Sequence, residues 1–565
     1  MKLQPAQRWI LLIALALLTA CGSSTTPDPT PTQDAGTQPD AGTQPDAGIQ
    51  PKPAPFTLAV SSEKIPILQG SNATFKVTVT RESGFTGPVA LALSGLPLRV
   101  TASSPTIASD ATEADIHLDA EVTGLSSLPT LVTVTGTSGE HTASKTITVT
   151  LRNRPGVYDT TFSGGAPLTD IGMGDDFAQA MAVQADGKIV VVGSSVTPSG
   201  TDFAVARFKR DGIPDLDFNA SGMVTTSINT GTDEAYAVAI QGDGKILVAG
   251  STNEGAAGQH FALVRYNSNG SLDTGFGTGG KVTTSFGSGP DRAYAMAIQA
   301  DGKIVLGGEA STTSTGLDFA LARYNTDGSL DTSFGTSGKV LTAIKDSTGT
   351  DSIAALVLQP VGGETRIVAA GGDGDFILAR YTPSGTLDTS FGTAGKISGL
   401  FGSTSGSAYA AVLTPDGKLV VAGHNNNDFA LARLSESGLL DSSFGSAGTV
   451  VTQLNTSNVD TATALALQSD GKIVAGGWVN EGSSTAADFV VVRYDETGVL
   501  DSTFGSRGGK VVISVVPDGR DNKAHALALQ PDDRVPVVRI LLAGEANMSH
   551  LGSFNYDFAL VRYWP

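Results

Sequence analysis

Short apolar runs separated by turn-forming residues dominate the chain from residue 56 onward. Between residues 56 and 152, segments such as ATFKVTVTR from Ala73 and SKTITVTLR from Ser144 alternate apolar and polar positions. A period of two is typical of half-buried antiparallel strands. About seven such runs in about a hundred residues predict an Ig-like β-sandwich without the Cys-Trp-Cys core of antibody domains. We expect this domain to be a spacer.

From residue 158 to residue 565, three sequence markers recur in a fixed order. The first is LDTSFG at Leu330, the second is QADGKIVVVG at Gln184, and the third is DFALARY at Asp318. Each marker has seven copies when degenerate ones are included, and the Arg of the third marker recurs 58 residues apart at Arg207 and Arg265. A fixed period of this length predicts a repeat architecture such as a propeller with one four-stranded blade per repeat.

Each repeat contains four strand-like runs, which we call a, b, c and d. Their residues are apolar on both faces, as sheets packed between neighbouring sheets require. The array begins with the loop before a strand d and ends directly after a strand c. We therefore predict seven blades, in which a strand near residues 165–171 completes the last blade and removes a bare sheet edge.

The strand order divides the connections between two ends of the sheets. The a–b turns and the c–d connections share one end, and their sequences vary little within the chain. The b–c and d–a loops share the other end, and they differ widely. Because variable loops on a rigid scaffold commonly carry binding specificity, we expect a ligand at the variable end and framework at the constant end.

The three markers resemble those of the delta-60 repeat family, and the resemblance extends over residues 158–565. That family is grouped with the β-propellers and has no assigned activity. The resemblance therefore implies a propeller fold and implies no reaction. The predicted chain is all-β, with a seven-bladed β-propeller preceded by the Ig-like domain of residues 56–152.

The N-terminus predicts a lipid-anchored bacterial protein. Two cations precede an apolar run from Trp9 to Leu18 that is too short for a comfortable membrane span, so residues 1–20 are predicted to be a signal peptide. The segment LTAC ending at Cys21 resembles a lipobox, which implies cleavage before Cys21 and acylation of its thiol and new amine, with palmitate as one such acyl group. An ordinary secretory signal with a chance cysteine is the alternative. Because no Asp follows Cys21, lipoprotein sorting rules imply the outer membrane and the cell surface, with the periplasmic face as the alternative.

The composition of residues 21–55 predicts a tether, and the charge of the chain argues against a nucleic-acid partner. Residues 21–55 are rich in Pro, Thr, Gln, Asp and Gly, which predicts a disordered acidic tether. The formal net charge is −19 and no run of basic residues occurs, so a nucleic-acid partner is not expected.

One recurrent acidic position precedes strand a and is a candidate cation site. It is occupied by Asp176, Asp233, Asp291, Asp351 and Asp460, with Gly406 and Asn522 in the other two repeats. Because inner strands begin around the central channel, these carboxylates could line its mouth and bind Ca²⁺ or a cationic amine. The alternative is that each Asp caps a turn through backbone hydrogen bonds.

A second recurrent pair predicts an ion pair that stabilises the fold. The Arg of the third marker lies on an apolar strand between sheets and needs a partner, and the Asp of the first marker follows eight residues later. We predict a structural Arg–Asp clamp at Arg265 and Asp273, Arg323 and Asp331, and Arg380 and Asp388. A ligand-binding ring of Arg residues is the alternative.

No catalytic residue or metal centre is predicted. The segment GFGTGGKV at Gly275 resembles a phosphate-binding loop only in part, because Val282 stands at its hydroxyl position, and neither HExxH nor GxSxG occurs. The sequence therefore predicts a non-catalytic envelope protein that binds a glycan or a protein, with no cofactor apart from the Ca²⁺ considered above. The alternatives are a carbohydrate-active or other hydrolase or lyase acting at the channel mouth, by fold analogy, and a purely structural envelope part.

Overall fold

The computed structural model describes most of the chain after residue 53. The described residues are 54–565 except 122–128, 164–166, 173, 256–257, 313–315, 345–349, 373, 403–404, 456–458, 481–485, 517–520, 533–536 and 549–554. The predicted signal peptide, Cys21 and nearly all of the tether lie outside them. The secondary-structure elements of the described residues are β-strands, apart from a 3₁₀ residue at Gly255. In the same residues no helix has the length and apolar character needed to cross a membrane.

Two sheets form the N-terminal part around one hydrophobic core. Their strands are β1 (Phe56–Val60), β2 (Lys64–Leu68), β3 (Asn72–Arg81), β4 (Val89–Ser94), β5 (Val100–Ala102), β6 (Thr106–Ile107), β7 (Glu113–Ala120), β8 (Thr130–Ser138) and β9 (His141–Arg152). The strand orders are β1-β3-β7-β5 and β2-β9-β8-β4-β6, and β2 runs parallel to β9. Alternate side chains such as Val77, Ile116 and Val134 are fully buried between the sheets, as the predicted period of two requires.

Seven four-stranded sheets follow, and we number them in the chain order of their a strands. In the first six, strands a to d are consecutive: β11 (Asp176–Val183), β12 (Ile189–Thr197), β13 (Gly200–Phe208), β14 (Met223–Thr226); β15 (Asp233–Ile240), β16 (Ile246–Asn253), β17 (Gln259–Tyr266), β18 (Lys281–Thr284); β19 (Asp291–Ile298), β20 (Ile304–Thr312), β21 (Gly316–Tyr324), β22 (Lys339–Thr342); β23 (Ile353–Val361), β24 (Glu364–Gly371), β25 (Ile377–Tyr381), β26 (Lys396–Ile397); β27 (Gly406–Leu413), β28 (Leu419–Asn425), β29 (Asp428–Leu434), β30 (Thr449–Thr452); β31 (Asp460–Leu467), β32 (Ile473–Asn480), β33 (Ala487–Tyr494), β34 (Lys510–Ile513).

The seventh sheet joins the two ends of the repeat array. Its strands a to c are β35 (Asn522–Asp532), β36 (Val537–Asn547) and β37 (Tyr556–Tyr563), and its outer strand is β10 (Leu168–Thr169). Leu168 pairs with Ala559 and Thr169 with Phe558 in antiparallel register. The N-terminal strand expected near residues 165–171 therefore completes the last sheet, as the sequence predicts, although residues 165 and 166 lie outside the described part.

Hydrophobic side chains fill each gap between neighbouring sheets. One cluster lies between each consecutive pair, and another joins the seventh sheet to the first through residues such as Leu541, Leu560 and Val191. Leu541 and Leu560 are 0–2% exposed, so truncating either to Ala is expected to cost about 2–5 kcal/mol. Burial on both faces explains why strands b and c are continuous apolar runs.

Candidate functional site

Every strand a contains a β-bulge at the same place, close to its first residue. In the second sheet Ala235 pairs with Gly250 and Ala237 pairs with Ala249, so Tyr236 has no partner of its own. A bulge bends the strand and redirects a side chain, and bulges are frequent beside functional sites. We call the seven bulged residues the bulge ring: Gln179, Tyr236, Tyr294, Ala354, Tyr409, Thr463 and His525.

A glycine in strand b is the local cause of each bulge. A Cβ atom added at Gly250 would lie 1.9 Å from the carbonyl oxygen of Glu234, which no real side chain tolerates. The equivalent glycines give the same contact at 1.8–1.9 Å, and they are Gly193, Gly308, Gly371, Gly423, Gly477 and Gly544. The Gly near the end of the second marker is therefore required by close backbone approach. It is the signal from which the bulge ring could have been found in the sequence.

Aromatic side chains of the bulge ring lie where the d–a loops enter the sheets. Each strand a neighbours the strand a of the next sheet, and β35 neighbours β11. Tyr236 and Tyr294 of adjacent sheets meet edge to face with their ring centroids 4.9 Å apart. Tyr409 stacks on His424 at 5.7 Å and remains 37% exposed. Partly accessible rings therefore occupy the inner edge of the sheets at the variable end.

Charged groups accompany these rings on strands a and b. Glu309 accepts hydrogen bonds from Arg292 Nη1 at 2.8 Å and from the Tyr294 hydroxyl at 3.0 Å. Tyr236 donates its hydroxyl to Glu234 Oε2 at 2.6 Å. Burial, followed by the neighbouring carboxylates, raises the pKa of Tyr236 and of Tyr294, so both phenols stay protonated at neutral pH. The arrangement offers fixed donors and acceptors beside aromatic faces.

The seventh sheet adds basic and acidic groups to the same end, and the sixth sheet adds an aromatic ring. His525 Nε2 lies 3.4 Å from Glu545 Oε2. Lys523 Nζ lies 5.4 Å from the ring centroid of Trp478, within the range of a cation–π interaction. The seven sheets therefore present chemically different groups at one structural level.

The five Asp residues predicted as cation ligands do not present free carboxylates at the variable end of the sheets. Their side chains are buried, and each accepts a hydrogen bond from the main-chain N–H of the preceding d–a loop. The bond from Phe286 N to Asp291 Oδ2, for example, is 2.7 Å long. Since loop N–H groups bind the carboxylates, the five Asp residues act as loop caps, which is the alternative that the sequence left open. Among the described residues, only Asp176 of the five belongs to a group of three close acidic side chains.

Burial of these caps has an electrostatic consequence. It raises the pKa of Asp291 to about 6 and that of Asp460 to about 7, although backbone hydrogen bonds act in the opposite direction. The charged form is therefore disfavoured in the folded protein at these two positions.

The predicted Arg–Asp pairs lie in contact. Arg Nε to Asp Oδ2 distances are 2.8 Å for Arg265 and Asp273, 2.8 Å for Arg323 and Asp331, and 2.9 Å for Arg380 and Asp388. A third cationic group, which the sequence analysis missed, lies near each carboxylate. It comes from the a–b turn as Lys245 at 3.0 Å and Lys303 at 2.8 Å, and from the start of strand b as Arg366 at 3.5 Å. All three sequence markers therefore meet at the clamp.

Each Arg–Asp clamp also contacts the next sheet. Arg323 Nη1 donates to the Pro383 carbonyl oxygen at 2.5 Å, and its guanidinium lies 4.5 Å from the Phe334 ring centroid. The Phe334 ring contacts Gly385, where a Cβ atom would lie 2.9 Å from it. Because the pair is buried and Arg323 bonds to Asp331 and to the Pro383 carbonyl oxygen, its guanidinium is occupied by protein partners.

The last clamp takes its Asp from the beginning of the array. Arg562 Nε lies 2.9 Å from Asp159 Oδ2, and Arg539 Nη1 lies 3.0 Å from the same oxygen. Tyr158 and Tyr563 form an isolated antiparallel bridge beside this clamp. The degenerate marker copy at Tyr158 therefore serves the seventh sheet.

Parts of the repeat array match one family model. Six segments match the family described as "Domain of unknown function (DUF5122) beta-propeller", and each runs from the second marker to the Phe of the first: 184–218, 241–276, 299–334, 361–391, 414–444 and 468–504. No curated protein matches the chain.

Solved structures show only weak likeness. A DUF4784 family protein from Bacteroides caccae is 10% identical, with 83% of this chain and 97% of that chain covered and a TM-score of 0.26. Domains 4 and 5 of the S-layer protein SbsC are 20% identical, and the match spans 17% of this chain and 50% of that chain with a TM-score of 0.13. TM-scores of this size do not establish a shared fold. The six family matches and the all-β sheets together support a β-propeller repeat family of unknown function for this chain.

Proposed function

We propose that the protein is a non-catalytic binding lipoprotein of the bacterial cell envelope, with a seven-bladed propeller as its binding domain. The lipobox resemblance at Cys21 supports an outer-membrane lipid anchor, and the Ig-like domain serves as the spacer. Support for seven blades comes from the seven sheets, the interface between the seventh sheet and the first, and the shared clamp of Asp159 and Arg562.

The observation that carries the proposal is the bulge ring. Seven sheets of one design use the same backbone bulge, yet they place Gln, Tyr, Tyr, Ala, Tyr, Thr and His at it. The backbone is therefore uniform where the side chains differ. A rigid scaffold that varies only its presented groups, beneath variable loops, is the usual basis of binding specificity.

The ligand that fits this surface best is a glycan. Tyr236, Tyr294 and Tyr409 offer aromatic surface at low entropic cost, since their rings are already packed against neighbours. Glu309 and Arg292 provide directional acceptors and donors beside them. Rings beside fixed polar groups suit a ligand that has apolar faces and many hydroxyl groups. A protein ligand at the same end is the other outcome that the test distinguishes.

A glycan array probed with the purified full chain tests the proposal. We expect Tyr294→Ala and Tyr409→Ala each to weaken binding of an array-identified glycan by about tenfold or more, since losing one anchor residue commonly costs more than about 1.4 kcal/mol. The matched control is Leu439→Ala, because Leu439 is 68% exposed in a c–d connection at the constant end. Equal effects of the Tyr and Leu substitutions would contradict the proposal, as would binding of a protein in place of any glycan.

A second candidate is a hydrolase or lyase that acts at the same mouth. The observation in its favour is the proximity of His525 and Glu545, whose Nε2 and Oε2 atoms lie 3.4 Å apart without a hydrogen bond between them. Steady turnover of a bound glycan that is lost in His525→Ala would establish this candidate and refute the non-catalytic one.

A further inference from the structure

Three carboxylates converge where the N-terminal strand joins the last sheet. Asp170 directly follows β10, Asp557 lies near the start of β37, and Asp176 is the first residue of β11. One carboxylate oxygen from each lies within 4.8 Å of the other two. Asp176 and Asp557 are buried, whereas Asp170 is exposed and leaves the group open to solvent. Three separate elements therefore supply one acidic group, which we call the seam triad.

The charges of the seam triad are not neutralised by its protein surroundings. Asp557 is buried, and the charged groups near it are the carboxylates of Asp170, Asp176 and Asp175. Asn555 Nδ2 donates a hydrogen bond to Asp557 Oδ1 at 3.2 Å, which supplies a dipole and no positive charge. Carboxylates held this close repel one another unless a proton or a cation is shared among them.

A buried oxygen of Asp176 lacks a well-aligned hydrogen-bond donor. Asp176 Oδ2 accepts the N–H of Ile171 at 2.7 Å and that of Gly172 at 3.4 Å. Asp176 Oδ1 is enclosed by protein without a well-aligned hydrogen-bond donor, and the Ser195 hydroxyl is the polar group beside it. An enclosed oxygen without such a donor costs free energy, and it is available as a ligand to a cation.

The other repeats show what this position normally contains. Asp202 lies near Asp233, which gives two carboxylates at that boundary between sheets. In the next repeat His260 replaces the first Asp and lies near Asp291. A nitrogen base is thus accommodated at this position in one repeat. At the seam the third carboxylate, Asp170, increases the demand for positive charge.

We propose that Asp170, Asp176 and Asp557 bind one divalent cation, with Ca²⁺ as the best fit. Ca²⁺ takes oxygen ligands at about 2.3–2.6 Å, so ligands on its opposite sides lie about 5 Å apart, which matches the spacing of the seam triad. Water would complete the coordination through the exposed side of Asp170. Because the described residues of β10 pair with β37 at two positions, the cation would tie a short closing strand to its own sheet through Asp557 and to the first sheet through Asp176.

Calcium titration of the chelator-treated full chain tests this site by calorimetry and by thermal unfolding. We expect saturable binding of one Ca²⁺ and a Ca²⁺-dependent rise in Tm, with about tenfold weaker binding in Asp170→Asn and in Asp557→Asn. Asp170 is exposed, so its variant is expected to fold even if the buried variant does not. The matched control is Asp291→Asn, a cap at the same position outside the triad, which should keep the wild-type affinity. The proposal is overturned by wild-type protein without binding at millimolar Ca²⁺, or by equal losses in Asp170→Asn and Asp291→Asn.

Discussion

Removing the Asp159 carboxylate should open the junction between the first and last parts of the array. The Asp159 side chain is 1% exposed, and its Oδ2 lies within 3.0 Å of both Arg539 and Arg562. The substitution Asp159→Asn keeps the size of the side chain and removes its charge. Two buried guanidinium groups would then face an amide, which leaves their charges uncompensated.

The expected cost is about 3 kcal/mol in the free energy of unfolding. Breaking a buried ion pair on one side costs about 3–5 kcal/mol. The lower value applies because Arg562 retains hydrogen bonds to the Arg210 carbonyl oxygen at 2.7 Å and to Gln530 Oε1 at 2.9 Å. Stability at neutral pH should therefore fall by a large fraction of the usual total of about 5–15 kcal/mol.

Guanidinium unfolding followed by tryptophan fluorescence measures this loss. Trp564 is a local reporter, since Arg539 lies over its ring at 3.0 Å from the centroid. The control is Asp243→Asn, because Asp243 is 57% exposed and lies 3.8 Å from Lys245, so the change should cost less than about 1 kcal/mol. A loss in Asp159→Asn no greater than that of the control would refute the view that this clamp closes the ring.

Two further predictions concern the caps and the bulges. Asp460 has a folded-state pKa raised to about 7, so its contribution to stability is present near pH 4 and is lost as pH rises through about 7. The variant Asp460→Asn has the residue that occupies the equivalent position at Asn522. Its Tm should fall less than that of the wild type when the pH is raised from 5 to 8, and parallel profiles of Tm against pH would contradict this. Gly308→Ala should cost about 2–3 kcal/mol in chemical denaturation, because its Cβ would meet the Arg292 carbonyl oxygen at 1.8 Å. Gly242→Ala, which meets nothing within 4 Å, should change stability by less than about 0.5 kcal/mol, and equal losses would refute the steric argument.

The repeated parts of this fold could be predicted because every repeat makes the same contacts with the same residue types. Strand order, the closing strand Leu168–Thr169 and the pairing of Arg323 with Asp331 follow from three markers at fixed spacing. Markers that recur seven times reveal which residues must meet, even though their distances are unknown. The sequence thus predicts the framework at the positions where all seven sheets make the same packing contacts.

The candidate site could not be predicted in the same way, because its residues do not repeat. Tyr236, Ala354 and His525 share a bulge and share no chemistry, so an alignment of repeats gives them no common letter. Only the invariant Gly opposite the bulge marks the position, and its steric reason requires coordinates. The role of Asp291 was likewise open, because a carboxylate before a strand can point toward a channel or back to its own loop. The hydrogen bond from Phe286 N at 2.7 Å decides between these two directions.

The central claim is that the repeating end builds the ring and the variable end binds the ligand. Hydrogen–deuterium exchange of the full chain, with and without a glycan identified on the array, locates the bound surface most directly. The account predicts new protection at the starts of strands a, around Tyr236, Tyr294 and Tyr409, and in the b–c and d–a loops. It predicts no change in the c–d connections that contain LDTSFG. Protection confined to those connections, with unchanged exchange at the bulge ring, would contradict it.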